Sequence, residues 1–480
     1  SATVAPKSGG DKIVTTNTYS NSNNLLASVT RRGNLTTTYT YADAQNKMLG
    51  LPSSVVDPLG VTVSTSYDST GRPTTSTVSK SGSNLGSVSY QYSKSLLQTV
   101  SRTAGSTVQS YRFVYDSFGN TTSLSIGNRK LAEYTYGSKN GMLEKQTYGN
   151  GDTVSMQYDD LNRTTSKTVT SSNGSSTYYY SYTGDGQLYK MEDSAAGVTY
   201  QYNYDSLGRL INSSQTGGNA NLRSSFVYDT ENRLKKINYS IPGVIDSATE
   251  SFYYNTNTSD AISDGSLTSM AMFNDSWIYY RYDSLSRLKE RDLGNVLTEH
   301  QTYLAGSGDC TTTTLPETYY TSAKGSTTKL SGVQYAYDNI GNITKITNQV
   351  DKTYWNYAYD GLGQLRYATD YQANGTANNR YKYYYDNAGN LTSWKIQDDS
   401  GTSTKVSHTY AYGDSDWKDL LTAFDGQSIT YDGAGNPLSY YNGSRYTMTW
   451  QNGKQLASAA VGGKTYSYEY NSSGIRTRKT

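Results

Sequence analysis

The chain has 480 residues, with 42 Lys plus Arg against 40 Asp plus Glu and a net charge of +2. That balance advertises no attraction to nucleic acid or to an acidic membrane surface. A single cysteine, Cys310, excludes an intrachain disulfide framework, and no run of about eighteen apolar residues is present to cross a bilayer as a helix. The composition is skewed toward tyrosine, with 50 Tyr against 6 Phe and 5 Trp. Gly, Ser, Thr and Asn abound, yet Tyr and β-branched residues at every second position argue against disorder.

Taken from the start, Ser1-Ala-Thr-Val-Ala-Pro-Lys7 has no apolar segment behind basic residues and does not read as a secretory signal; a fragment of a longer protein is the expected reading. Residues 1–18 read as an irregular lead-in. Residues 19–480 read as one continuous array of about twenty units, each of about 22 residues. The unit is marked by Tyr-Asp pairs at Tyr67-Asp68, Tyr115-Asp116, Tyr158-Asp159, Tyr204-Asp205, Tyr228-Asp229, Tyr282-Asp283, Tyr337-Asp338, Tyr359-Asp360, Tyr385-Asp386 and Tyr431-Asp432. Three residues after the Asp stands Gly71, Gly119, Asn162, Gly208, Asn232, Gly341, Gly363, Gly389 or Gly435, residue types that tolerate a left-handed backbone. Weaker copies surround Tyr19, Tyr41, Tyr92, Tyr136, Tyr182, Tyr254, Tyr303, Tyr412, Trp450 and Tyr470. The pattern loosens at 240–280 and 300–335, where loops or insertions are expected. No amphipathic helix is evident.

The clearest unit is Tyr200-Gln-Tyr202-Asn-Tyr204-Asp205-Ser-Leu-Gly208-Arg209-Leu210. Tyrosines at a period of two predict a strand with one aromatic face. Asp205 can accept from the backbone two residues on, and Gly208 suits a type I turn followed by a bulge. A three-residue loop then sets Asp205 against Arg209 and Tyr204 against Leu210, cross-strand pairs that each contribute roughly 0.2–1 kcal/mol. Two strands per unit make about forty, a sheet some 190 Å wide at roughly 4.8 Å per strand. Open sheets rarely pass about ten strands without curling or splitting, so this one must wind. Few aliphatics and many tyrosines suit a spiral with a solvated or filled interior better than a solenoid with a packed core.

Tyr-Asp-x-x-Gly-Arg-Leu in tandem resembles the tyrosine–aspartate (YD) or rearrangement-hotspot (RHS) repeat family. The best matches are Tyr204–Leu210, Tyr228-Asp229-Thr-Glu-Asn232-Arg233-Leu234, Tyr359–Leu365 and Tyr385–Leu391, and the resemblance runs from about Tyr19 to Thr480. Tyr134–Leu143 and Thr147-Tyr-Gly-Asn-Gly-Asp152 are similar to its wall-associated bacterial branch. The resemblance implies a spiralling antiparallel β-sheet that forms a hollow shell. In bacterial toxins such a shell encloses a C-terminal toxin, and in animal teneurins a similar barrel serves adhesion. The family's Asp-Pro plug and self-cleavage motif is not recognisable, so self-processing is not expected of this segment. The implied location is extracellular, secreted or associated with a bacterial cell wall.

Candidate chemistry is sparse. Asp57-Pro58-Leu59-Gly60 is ordinary turn chemistry. His300 and His408 stand without partners at metal-ligand spacing, and Cys310 lacks a nucleophile's setting. Asp159-Asp160 and Asp398-Asp399 are adjacent acids that a strand would send to opposite faces. No catalytic, metal or cofactor site is expected, and an enzyme such as a glycosidase would need a clustered acid pair. Two functions remain: a shell around the protein's own C-terminal toxin, or an adhesin that binds glycan or a neighbouring cell through exposed tyrosines. Neither nucleic acid nor membrane insertion is expected.

Overall fold

The computed structural model describes residues 2–4, 10–32, 34–218, 221–255, 265–398 and 400–480. Among them are forty-two strands and one short helix. Strands from Ala2 to Ser428 belong to one long sheet, and six from Thr430 to Lys479 to a second. The chain divides into two compact units. One holds Ser1–Tyr90, Arg102–Thr107 and Ser251–His408; the other holds Gln91–Ser101, Val108–Glu250 and Thr409–Thr480.

The hairpin chemistry is local. In the strands Val198–Tyr204 and Leu210–Gly217, Asn203 pairs with Asn212 and Tyr204 with Leu210, the offset of a bulge. The Gly208 N–H donates to the Asp205 carbonyl at 3.0 Å, and Gly208 has φ +78°, a region costly for any residue with a Cβ. One Asp205 carboxylate oxygen accepts from the N–H groups of Leu207 and Arg209, each at 3.0 Å, and the other from Arg209 Nε at 2.7 Å. Asp68, Asp159, Asp229 and Asp283 hold Arg72, Arg163, Arg233 and Arg287 in the same way. At Asp116, Asp338, Asp386 and Asp432 an asparagine amide takes the arginine's place. Asp360 holds the backbone of Leu362 and Gln364, with Gly363 at φ +77°. After Asp283 the left-handed position falls to Ser286, at φ 59°.

Few side chains are covered on both sides. The hydrophobic cluster of the second unit is Val154, Val169 and Tyr178, flanked by Tyr148 and Tyr180. Burial among these neighbours pushes the Tyr180 phenol up to about 12. The accessible surface is 26595 Å².

Two expectations change. A six-residue helix, Ala44–Leu49, interrupts the array; Asp43 caps its start by accepting from the Asn46 N–H, and Gly50 closes it at φ 66°. Residues 300–335 are not a large insertion. The strands Leu297–Ala305, Thr312–Ala323 and Lys329–Tyr337 run through them, and the departure is confined to the loop 306–311 and the turn 324–328. Within 240–280, residues 256–264 lie outside the described residues, and the strands Ile245–Tyr254, Leu267–Ala271 and Trp277–Tyr282 occupy most of the rest.

The turn carboxylates make stability depend on acid. Hydrogen bonds from the Arg209 side chain, then from its backbone N–H, hold Asp205 below its ordinary value of 3.8. Asp68, Asp116, Asp159 and Asp229 are lowered as well. A carboxylate lowered by folding contributes stability above its unfolded value, and that contribution is lost as pH falls through the folded one. Thermal midpoints measured between about pH 2 and 7 should therefore fall below about pH 4, and Asp205→Asn should make that descent shallower. An equal slope in the variant would mean that Asp205 ionisation contributes nothing.

Candidate functional site: tyrosine staples and the seam between rows

The motif tyrosine does more than pack. Its ring lies on the aromatic face of its strand, and its hydroxyl reaches back to the preceding unit. Tyr228 donates to the Leu210 carbonyl at 2.9 Å, and Tyr204 to Leu188 at 2.8 Å. The same bond joins Tyr67 to Pro52, Tyr115 to Leu97, Tyr158 to Leu143, Tyr282 to Leu267, Tyr337 to Pro316, Tyr359 to Ile343, Tyr385 to Leu365 and Tyr431 to Leu421. Tyr41, Tyr136, Tyr182, Tyr303 and Tyr470 repeat it in the weaker copies. At position 450 a tryptophan substitutes, and its indole N–H donates to the Pro437 carbonyl at 2.8 Å. What the position requires is an aromatic with a hydrogen-bond donor at its tip.

The geometry explains the requirement. Between Leu210–Gly217 and Leu222–Tyr228 the backbone ladder ends at Asn212 opposite Ser225. Two residues nearer the rim, the Leu210 carbonyl accepts from a side chain instead. The other staples sit at the same step: Lys190 pairs with Gln201 and Lys345 with Asn356, while Tyr204 and Tyr359 serve Leu188 and Ile343. Where the turn residue is arginine it adds a second link. Arg209 pairs with Asp205 at 2.6 Å, and its guanidinium lies 4.7 Å from the Tyr228 ring centre. Arg163 over Tyr182 and Arg287 over Tyr303 repeat the arrangement. Asp, Arg, the next Tyr and the carbonyl after the Arg thus form a closed chain across two units.

A second set of contacts joins rows far apart in sequence. In the first unit, Thr311 and Thr312 donate their N–H groups to the Lys12 carbonyl, the Val14 N–H meets Cys310 Sγ at 3.4 Å, and Arg102 reaches the Ala388 carbonyl at 3.0 Å. In the second unit, Arg129 pairs with Asp414 at 2.7 Å, the Asn128 N–H donates to Asp416, and Asn173 reaches the Trp450 carbonyl. Side-chain partners along the seam lie 277 to 309 residues apart in both units. The earlier partner lies in a variable turn at Asn128, Asn150 and Asn173, and the later one in an Asp-type turn at Ala388 and Asp432. Within each unit, rows far apart in sequence are thus held side by side.

The tightest point uses Gly149-Asn150-Gly151-Asp152. Asn150 donates to Asp432 at 3.0 Å, Asp152 accepts the Gly453 N–H at 2.8 Å, and Asn436 donates to the Gly453 carbonyl at 2.6 Å. Gly149 and Gly433 meet backbone to backbone, and a Cβ on Gly149 would lie 2.5 Å from the Gly433 oxygen. Asp152 is 5% exposed; burial, with Asp432 nearby, raises its carboxyl despite hydrogen bonds from Gly453 and Asn150.

The other sequence candidates occupy turn, buried and stacking positions. Asp57 accepts from the Leu59 and Val61 N–H groups as a turn residue. Cys310 is buried, with its thiol toward the Thr312 carbonyl. His300 stacks on Tyr320 beside Glu290, and His408 lies against Trp394. Asp159 and Asp398 are turn residues, and Asp399 lies outside the described residues. Among the described residues no group of three or more His, Cys, Asp or Glu is placed to hold a metal, and no helix is long and apolar enough to cross a membrane.

Removing one staple hydroxyl should cost about 1–3 kcal/mol, because the acceptor carbonyl is left behind without its partner. Tyr228→Phe should show this loss in urea unfolding. Tyr189→Phe, on a residue 42% exposed, should be close to neutral. Equal effects would show that the hydroxyl adds nothing to ring packing.

No protein-family model matches the sequence, and no curated protein matches it either. Solved structures do. A structure described as the Photorhabdus luminescens Tc holotoxin pore with a TccC3 mutation superposes with TM-score 0.63 at 15% identity, over 93% of this chain and 25% of that one. A TcdB2–TccC3 crystal structure gives TM-score 0.64 at 14% identity, over 98% of this chain and 28% of that one. A further TcdB2–TccC3 structure, without its hypervariable C-terminal region, gives 0.59 at 13% identity. The chain spans about a quarter of the length of these structures. The likeness is one of fold: a long antiparallel sheet built from tandem hairpins.

Proposed function

We propose that this segment is wall material: part of a β-shell that encloses a polypeptide, the protein's own toxin in the full-length chain. The observation that carries the reading is the likeness of fold, which extends over nearly the whole chain to structures of toxin complexes. The architecture is consistent with it. A sheet whose units are stapled at one rim and whose rows are locked rim to rim can stand as a thin wall without a packed core. The wall itself is read as non-catalytic, and its setting as extracellular, secreted or attached to a bacterial cell wall.

Small-angle scattering of the purified chain tests the shell. A compact globule of this length has a radius of gyration of about 23 Å. The proposal expects a larger value, with a distance distribution depleted at its centre. A value near the compact figure with no central depletion would defeat it.

A further inference from the structure

The near-neutral total charge conceals a concentrated basic face in the first unit. The strands Ile343–Asn348, Tyr354–Tyr359, Leu365–Tyr371, Ala377–Tyr385 and Leu391–Gln397 contain Lys345, Arg366, Arg380, Lys382 and Lys395, and a single carboxylate, Asp370. Register separates Asp370 from the cations. It pairs with Trp355 and Asn379, while Tyr367 pairs with Lys382 and Thr369 with Arg380. Residues in register share a face and neighbours along a strand alternate, so Asp370 belongs to the Trp355 face and Arg380 and Lys382 to the opposite one. No carboxylate among the described residues lies within ion-pair distance of any of the five cations.

Two details make this more than a solvated surface. Lys382 and Lys395 are direct cross-strand partners, an arrangement of like charges that destabilises a sheet. The cations also lie on tyrosines. Lys345 is 3.9 Å from the Tyr354 ring centre, Lys382 is 5.5 and 5.1 Å from Tyr367 and Tyr384, and Lys395 and Arg366 are 5.6 and 5.8 Å from Tyr384. Tyr354 is itself stacked on Tyr371 at 4.6 Å. The rings are thus occupied and offer no bare platform to a nucleic-acid base. What the face presents is positive charge held on tyrosines, with no carboxylate partner among the described residues. Along the strand Arg380 and Lys382 repeat every second residue, the period at which an extended peptide shows alternate side chains, roughly 6.8 Å.

We propose that this face binds an acidic, extended polypeptide segment, with carboxylates of the bound chain meeting Lys382, Lys395, Arg380 and Lys345. The proposal rests on the shell reading for the source of the polypeptide, a cargo segment rich in Asp or Glu, but its chemistry is independent of enclosure. Anchoring charge to the tyrosine rings holds the cations in place, and the repulsion between Lys382 and Lys395 is relieved when a carboxylate sits between them.

The test uses the full chain and a fluorescent peptide of alternating Glu and Ser, with an alternating Gln and Ser peptide and a short oligothymidylate as comparisons. The acidic peptide should bind alone, more weakly as salt is added. Lys382→Gln with Lys395→Gln should weaken it roughly fivefold to tenfold, while Lys464→Gln, at an exposed position in the second unit, should not. Thermal midpoints of the double variant should be equal or higher, which establishes that it is folded; should it not fold, Lys345→Gln serves in its place. No binding of the acidic peptide, equal binding of the Gln peptide, or binding unchanged by the substitutions would overturn the proposal. Tighter binding of oligothymidylate would replace the polypeptide with nucleic acid. A hollow particle that ignores the acidic peptide sinks only this inference; a compact particle that binds it sinks only the shell.

Discussion

An antiparallel sheet of this length has to keep neighbouring hairpins in step where each turns back, because at the rim the backbone ladder has run out of partners. The bond from the motif tyrosine to the preceding unit's carbonyl answers that constraint. Its acceptor is the backbone of the residue that opens the outgoing strand, as Leu210 does for Tyr228. A buried or half-buried carbonyl left alone costs more than a made bond returns, so the hydroxyl is difficult to dispense with once the strands have parted. Trp450, the one non-tyrosine in the series described, keeps the donor and changes everything else.

Much follows from this staple. Because each unit is tied to its predecessor at the rim, the sheet needs little packing from a second layer, and its aliphatic core is correspondingly small. The Asp-type turns that shape the staple also furnish one side of the seam, so a single motif serves hairpin closure, coupling of units and coupling of rows. Gly433 shows the overlap: it follows Asp432 inside a turn and meets the backbone of Gly149 from the other row. The surface chemistry of the sheet varies from region to region, and the basic face over residues 343–397 is one such variation.

What could be read from the sequence divides by distance along the chain. The turn was legible because Asp205, Gly208 and Arg209 act on one another within five residues, and residue type alone dictates the outcome. The staple was not, since its acceptor is an anonymous carbonyl ten to 21 residues earlier; the only trace was the preference for Tyr over Phe, which ring packing cannot explain. The seam partners lie too far apart for local sequence to pair them: Asn150 meets Asp432, 282 residues on. The helix Ala44–Leu49, at six residues, is too short to establish a period. In 300–335 the turn signature is lost while strand propensity persists, which the motif alone could not distinguish from an insertion. The basic face was hidden because total charge sums over both faces and all rows.

The central claim is that the hydroxyl, and not merely the ring, couples one unit to the unit before it. Native-state hydrogen exchange on Tyr228→Phe, read by mass spectrometry against the unaltered chain, addresses it most directly. The account predicts faster exchange in Leu210–Gly217 as well as in Leu222–Tyr228, the two strands the bond joins, and unchanged exchange in distant units. Exchange that is unaltered in both strands, or that quickens evenly along the whole array, would contradict it.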